Sequence, residues 1–316
     1  MQIDNTKRST YQTCPRKFYL RHILNITSEN GSTALRYGST WHALMEGYYS
    51  SIAKYGWDTT ESDHIQCAID LATATWEKET SKKSFYDDYR TLENCFTSFI
   101  EYLTTFQDDR STLRILKSER LFKIKMELTD SEKLLFPYLA DIDLFFTGKL
   151  DLETEMSGHE WINEFKTTGQ PAQTQAARLN RSAQILGYTW AAKHLGSDIT
   201  GVLTVLHQLT ARKNKDGLYG KPTRAFLRHP NVFSTADLAC WRESFLHTCN
   251  HIAASTDKEN FPCQFDSCYQ FGQCQYTRLC EQNRPAAELN LTGFITEEWD
   301  VLKTGGSSDT ATILEA

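Results

Sequence analysis

The sequence predicts an α/β protein with a central mixed β-sheet flanked by helices. A helical N-terminal region precedes the sheet and a C-terminal cysteine-rich segment follows it. Three observations carry this reading. The first quarter keeps apolar residues at helical spacing, and the region after it alternates apolar with polar residues, as half-buried strands do. A helical stretch then lies between strand-like runs, an order that favours a mixed sheet with helices on its faces.

In chain order, STYQTCPRKFYLRHIL carries Tyr11, Phe18, Tyr19 and Ile23 at helical spacings, and Pro15 suits an early turn. GSTWHALMEGYYSSIAKYG is a second helix, expected to open near Ser39 or Thr40 as its cap. Two more helices are expected near 62–80 and 89–106. RILKSERLFKIKMEL, LFFTGKLDLETEM and EWINEFKTT read as strands, with Ser157-Gly158 as the turn between the second and third. A helix over about 173–194 follows, then the apolar strand ITGVLTVLHQLT, and then a Lys/Arg-rich hairpin with Asp216-Gly217 as its turn signal. A helix near 235–257 leads to FPCQFDSCYQFGQCQYTRLCEQN, and TGGSSDTATILEA reads as a flexible tail. The expected organisation is a single domain over 1–302: a helical part (1–110), a core (111–232), and a helix with the cysteine-rich segment (233–284). The tail occupies 303–316.

The chain has 316 residues, 40% hydrophobic and 23% charged, which is ordinary for a soluble globular protein. No stretch approaches the roughly 20 apolar residues that span a bilayer, so no membrane partner is expected. MQIDNTKRST lacks the basic start and apolar run of a secretory signal, which points to an intracellular protein. A net charge of -6 argues against a surface coated in basic charge, but not against a local basic groove. Arg212, Lys213, Lys215, Lys221, Arg224 and Arg228 fall in one segment opposed only by Asp216. They form either a solvated hairpin or a phosphate-contacting, substrate-binding loop. Nine cysteines in such a protein are not expected to be a disulfide framework. Cys67, Cys95, Cys240 and Cys249 are expected to be small buried apolar residues.

In GKLDLETEMSGHEWINEFKTTG, an antiparallel pairing of the two strands brings Asp151 near Glu164. Alternation puts Glu164 and Lys166 on one face and Phe165 into the core. Two adjacent carboxylates repel unless a cation joins them, and hard oxygen ligands of this kind suit Mg²⁺ or Mn²⁺. A nearby Lys can position or deprotonate an attacking water, or stabilise charge developing on a phosphate. The plainer reading is a surface hairpin with ordinary charges. Upstream, His42 sits inside a helix with Glu46 one turn later; downstream, Gln184 and Tyr188 lie four apart on one helical face.

The order G-x-x-x-H, G-x-x-D, E-x-K and Q-x-x-x-Y resembles the RecB-type branch of the PD-(D/E)XK nuclease superfamily, which includes the AddB nuclease domain and the CRISPR-associated RecB-like exonucleases. The resemblance runs from Ser9 to Cys280. It implies a restriction-endonuclease-like core and a metal-dependent deoxyribonuclease hydrolysing phosphodiester bonds. Metal ligands would be His42, Asp151, Glu164 and the main-chain carbonyl of Phe165. Lys166 would be catalytic, with Gln184 and Tyr188 as the supporting motif. Leu150 stands where the superfamily's name expects proline.

The spacing of Cys263, Cys268, Cys274 and Cys280 does not offer the paired C-x₂₋₄-C pattern usual for zinc, whereas iron–sulfur clusters tolerate varied spacing. In the resembling branch, iron–sulfur members place one cysteine before the core and three after it, the last two as C-x₅-C. That implies a structural [4Fe–4S] cluster on Cys14, Cys268, Cys274 and Cys280, with Cys263 as a substitute for Cys268. No P-loop is present, so the chain would act alone or with a separate helicase, recombination or CRISPR partner. The expected activity is an exonuclease on single-stranded DNA or DNA ends, cellular or virus-encoded. The rival reading is a non-catalytic nucleic-acid-binding subunit.

Overall fold

The structure is a computed structural model that describes residues 1–270, 272–303 and 314–315. Most of the expected tail, 304–313 and 316, lies outside the described residues. The chain divides into two compact units. Unit I comprises residues 1–30, 121–148 and 236–316, and unit II comprises 31–120 and 149–235. Strands β1 (Gln2–Ile3), β2 (Ile26–Ser28), β3 (Leu113–Lys125), β4 (Phe145–Met156), β5 (His159–Thr168), β6 (Ile199–Thr210), β7 (Thr223–Asn231), β8 (Phe294–Thr296) and β9 (Leu314–Glu315) follow in chain order.

In unit II the strand order is β7-β6-β5-β4-β3. β4 and β5 are antiparallel, β5 and β6 parallel, and β6 and β7 antiparallel, so the sheet is mixed as expected. The β4–β5 connection has only Ser157 and Gly158 between the paired Met156 and His159. Both have positive φ, 54° and 76°, the pattern of the two-residue turn whose twist matches flanking strands.

Alternation sorts the two faces of this sheet. Leu152, Phe165, Val205 and Leu209 join a core with Tyr37, Trp41, Leu44, Tyr48 and Tyr49 of the helix Thr33–Tyr55. Leu206 packs instead against Ala172, Ala176 and Leu179 of the helix Ala172–Leu179. Phe165 is buried and stacks on Tyr49, with ring centroids 5.9 Å apart.

Three helical expectations need correction. The second helix opens at Thr33, not near Ser39 or Thr40, because Ser32 is its cap and accepts the Leu35 N–H at 3.4 Å. Thr40 is mid-helix and its hydroxyl donates to the Arg36 carbonyl. The helix expected over 173–194 is two helices, Ala172–Leu179 and Ala183–His194. Ser182 adopts an extended conformation as the cap of the second, a position serine favours. The first helix, Asn5–Thr13, stops at Cys14, whose φ of -166° is extended. The residue before a proline avoids the helical region, and Pro15 opens the next turn, Pro15–Phe18. Cys95 and Cys249 are buried as expected, but Cys67 and Cys240 are exposed because they fall on the outer faces of their helices.

Unit I pairs β1 with β4 in parallel, β2 with β8 antiparallel, and β3 with β9 in parallel. Phe146, Trp241 and Phe245 form an aromatic core there. A second cluster gathers Leu20, Ile26, Tyr276, Leu279 and Leu289.

The helices Thr33–Tyr55 and Glu61–Lys82 touch most closely at Gly47, where an added Cβ would lie 2.7 Å from both Ala68 Cα and the Cys67 carbonyl oxygen. Both obstacles are backbone, so the helices must part. Gly47→Ala is therefore expected to cost roughly 1–3 kcal/mol, as overpacking does, and to lower the melting temperature in thermal unfolding. An unchanged melting temperature would contradict this close approach.

Candidate active site

The β4–β5 pairing ends at Leu152↔Asn163, and Asp151 and Glu164 are the next residue of each strand beyond it. The Phe165 N–H donates to Asp151 Oδ2 at 3.0 Å. In a strand the N–H and C=O of one residue point to the same side, so the Phe165 carbonyl also faces the Asp151 side. Glu164 Oε1 accepts from Gln184 Nε2 at 2.9 Å and faces Lys166 Nζ at 2.6 Å. Gln184 is fixed in turn by a contact of 3.2 Å to Tyr188 Oη, one helical turn on. Glu164 Oε2 is buried and has no hydrogen-bond partner.

From the helix Thr33–Tyr55, His42 Nδ1 lies 3.4 Å from Asp151 Oδ2. Glu46, one turn later, lies 3.7 Å from Lys149 Nζ. Four helical residues advance about 6 Å and two strand residues about 6.6 Å. The pair His42/Glu46 therefore runs in step with Asp151/Lys149. Gly38 belongs to the same alignment: a Cβ there would sit 3.4 Å from Thr167 Oγ1 on β5.

The electrostatics follow from burying charge. Burial, and then the adjacent Asp151, push the Glu164 carboxyl up to about 7. Burial alone would also raise Asp151, but His42, Lys166 and Lys149 outweigh it and hold that carboxyl below its ordinary range. Burial opposes the charge on Lys166, yet Glu164 and Asp151 overcome it and raise its ammonium above the usual lysine value. At neutral pH Lys166 is a cation.

These residues fit a hard divalent cation. The unpartnered Glu164 oxygen lies in a site shared with Asp151, and oxygen donors of this kind are what Mg²⁺ and Mn²⁺ take. Among the described residues, no three His, Cys, Asp or Glu side chains are gathered as a ready-made metal cage. An ion here would rest on the two carboxylates and complete its shell with backbone oxygen and water, the open arrangement usual for Mg²⁺.

A family model of the PD-(D/E)XK nuclease superfamily matches residues 5–281. The chain belongs to that superfamily. Its mixed sheet flanked by helices agrees with a restriction-endonuclease-like core. Membership implies a metal-dependent nuclease, a hydrolase that typically uses Mg²⁺ or Mn²⁺ with DNA as its implied substrate. A search of curated proteins finds no match. Among the described residues no helix is long and apolar enough to cross a membrane.

The basic hairpin divides in two. Arg224 is committed to Asn94, Ser98 and Glu101, and Arg228 to Asp109 and Tyr102, so both hold unit II together. Arg212, Lys213, Lys215 and Lys221 lie in the loop beyond β6, outside the carboxylate cluster. Two groups escaped sequence reading. Lys149 was legible only as the residue two before Asp151 and so on its face. The patch of Tyr89, Arg90, Lys213 and Tyr219 was legible only at Lys213, since Tyr89 and Arg90 are far from Lys213 and Tyr219 in sequence. Tyr89 and Tyr219 have ring centroids 5.0 Å apart, Arg90 lies over Tyr89, and Lys213 lies over Tyr219.

Within unit I, Cys14 Sγ accepts the Gln264 N–H at 3.3 Å, and the Arg16 N–H donates to the Pro262 carbonyl at 3.1 Å. Burial, and then Cys263, push the Cys280 thiol up to about 12. Burial and the neighbouring Cys274, Cys14 and Cys263 also raise Cys268. All nine cysteines are free thiols.

A carboxyl raised in the folded state keeps its proton where the unfolded chain has lost it. Stability therefore falls as pH rises from the ordinary value of 4.5 to about 7. The metal-free protein is expected to lose stability through Glu164 over that window, by at most on the order of 3 kcal/mol, and Glu164→Gln should flatten the fall. Melting temperatures measured in chelator from about pH 5 to 8 check this. Parallel curves for the two proteins would mean that Glu164 titrates normally.

Proposed function

We propose that the protein is a deoxyribonuclease of the RecB-type branch, an exonuclease acting on single-stranded DNA or DNA ends with Mg²⁺ or Mn²⁺. The observation that carries the reading is the unpartnered, buried Glu164 oxygen in a cluster with Asp151 and a cationic Lys166. Asp151, Glu164, the Phe165 carbonyl and His42 would hold the metal. A bound divalent ion supplies Lewis-acid activation of water and phosphate oxygen.

The chain's own groups do the rest. Lys166, locked to Glu164 at 2.6 Å, presents its ammonium to a phosphate oxygen and stabilises the charge that grows there. Gln184, held by Tyr188, keeps the Glu164 carboxylate in its rotamer. His42 does the same for Asp151. Phe165 stacked on Tyr49 keeps water off the other face of β5.

Preference for a single strand is supported by the patch of Tyr89, Arg90, Lys213 and Tyr219. Exposed bases stack on aromatic rings flanked by cations, whereas duplex bases are already stacked. Gly169, next to Arg90 and Tyr89, is three residues beyond Lys166, about 10 Å along a strand. Arg212, Lys213, Lys215 and Lys221 would follow the phosphates. A separate helicase would supply any duplex unwinding.

For the cysteines, we propose a structural [4Fe–4S] cluster on Cys14, Cys268, Cys274 and Cys280. The proximity of Cys268 to Cys274 and Cys14 supports it. Cys263, beside Cys280, stands as the substitute for Cys268.

Labelled linear single strands, linear duplexes, end-blocked strands and circles, incubated with Mn²⁺, test the activity. Linear single strands should be degraded and circles spared, and Lys166→Ala should lose at least about 100-fold in rate, the scale of an electrostatic catalytic group. Equal background products from both proteins would end the enzyme reading. Anaerobically purified protein is expected to absorb broadly near roughly 400 nm, as thiolate-ligated clusters do. It should carry about four irons per chain, and Cys14→Ser should abolish both. Zinc in place of iron would overturn the cluster.

A further inference from the structure

Beside the proposed metal ligands lies a second set of charges. Lys149 Nζ is 3.7 Å from Glu46 Oε2 and is bonded to Glu119 Oε2. All three side chains are largely buried, with relative exposures of 20%, 14% and 16% for Lys149, Glu46 and Glu119. Lys149 and Asp151 are two apart on β4 and share a face. Glu46 is one turn from His42, which faces Asp151. Glu119 reaches the group from β3 with φ of +55°, a conformation that costs a residue with a side chain of order 1–3 kcal/mol.

The charges can be counted. Glu46, Glu119, Asp151 and Glu164 bring four carboxylates, and Lys149 and Lys166 bring two ammonium groups. Two negative charges remain once an ion has displaced the protons from all four carboxylates, and one divalent ion neutralises them. Two divalent ions would leave an excess of two positive charges in a buried site, which is costly. Two-metal phosphodiester sites share a carboxylate between ions about 4 Å apart. Here the glutamates on the Lys149 side of Asp151 are already bound to an ammonium.

Building on the nuclease reading above, we infer that Lys149 is a built-in cation standing where a second metal ion would bind, so that the site takes one divalent ion per chain. Lys149 is a positioning residue: it neutralises Glu46 and Glu119 and leaves Asp151 to a single ion.

Mn²⁺ binding to the purified full chain, measured by titration calorimetry and by the loss of the free-ion paramagnetic resonance signal, tests this. The wild type should bind one Mn²⁺ at the cluster, lost in Glu164→Gln. Lys149→Met, matched in length and uncharged, should bind two, and Lys149→Arg should remain at one. Glu119→Gln added to Lys149→Met should return the count to one and relieves the buried charge should the single variant fail to fold. Two ions in the wild type, or one in Lys149→Met, would overturn the inference while leaving the nuclease reading intact. No ion in the wild type would overturn both.

Discussion

Two carboxylates, Asp151 and Glu164, face each other across a pair of strands where almost no water reaches them. Their relative exposures are 7% and 1%, so neither can rely on solvent to screen the other. The turn makes the juxtaposition unavoidable. A two-residue connection fixes the register at Met156↔His159, the pairing runs to Leu152↔Asn163, and Asp151 and Glu164 come next on their strands. A slip of one residue would turn every side chain to the opposite face and bury charge against Tyr49 and Trp41. The site is therefore held from both sides: by Lys166, Gln184 and the Phe165 N–H around the carboxylates on one, and by aromatic packing on the other.

The compensations come from three directions, each tied to a different element of unit II. Lys166 comes from the same strand, His42 from the helix Thr33–Tyr55, and Gln184 from the first turn of Ala183–His194. The helix contribution depends on a near match of rise, one turn against two strand residues, that would drift out of step over a longer span. It is used once, at His42 and Glu46. The same helix carries Tyr37, Trp41 and Tyr49 into the core. Its polar stripe cannot rotate away from β4 without pulling aromatic rings out of packing.

Much of this was legible in the sequence, and the reasons differ by element. The β4–β5 hairpin was readable because alternation and a Ser-Gly turn are local signals. The helices Glu61–Lys82 and Thr235–Asp257 were readable from long periodic runs. The start of Thr33–Tyr55 was not, since Ser32, Ser39 and Thr40 are all good caps and only the fold selects Ser32. The break at Asn180–Ser182 was hidden because both flanking segments are good helix formers. Burial of Cys67 and Cys240 failed as an expectation because cysteine's preference for the interior says nothing of which helical face packs. The fates of Arg224 and Arg228 were out of reach for another reason: their partners Asn94, Ser98 and Asp109 are more than a hundred residues away in sequence, and only folding makes those pairs.

The charge states narrow the chemistry that Lys166 can perform. A general base must be deprotonated at working pH and weakly held. Lys166 is neither, since its ammonium is raised in pKa and paired with Glu164 at 2.6 Å. Asp151, held below the ordinary carboxylate range, is too weak a base to take a proton efficiently from water. Burial and Asp151 push the Glu164 carboxyl up to about 7 even with the Lys166 ammonium beside it. Its unpartnered oxygen is the one a metal would occupy. Proton transfer and metal binding thus compete for one atom, and the cluster cannot serve both at once. The role that remains for Lys166 in the proposed reaction is electrostatic: its fixed positive charge would stabilise the charge growing on a phosphate oxygen.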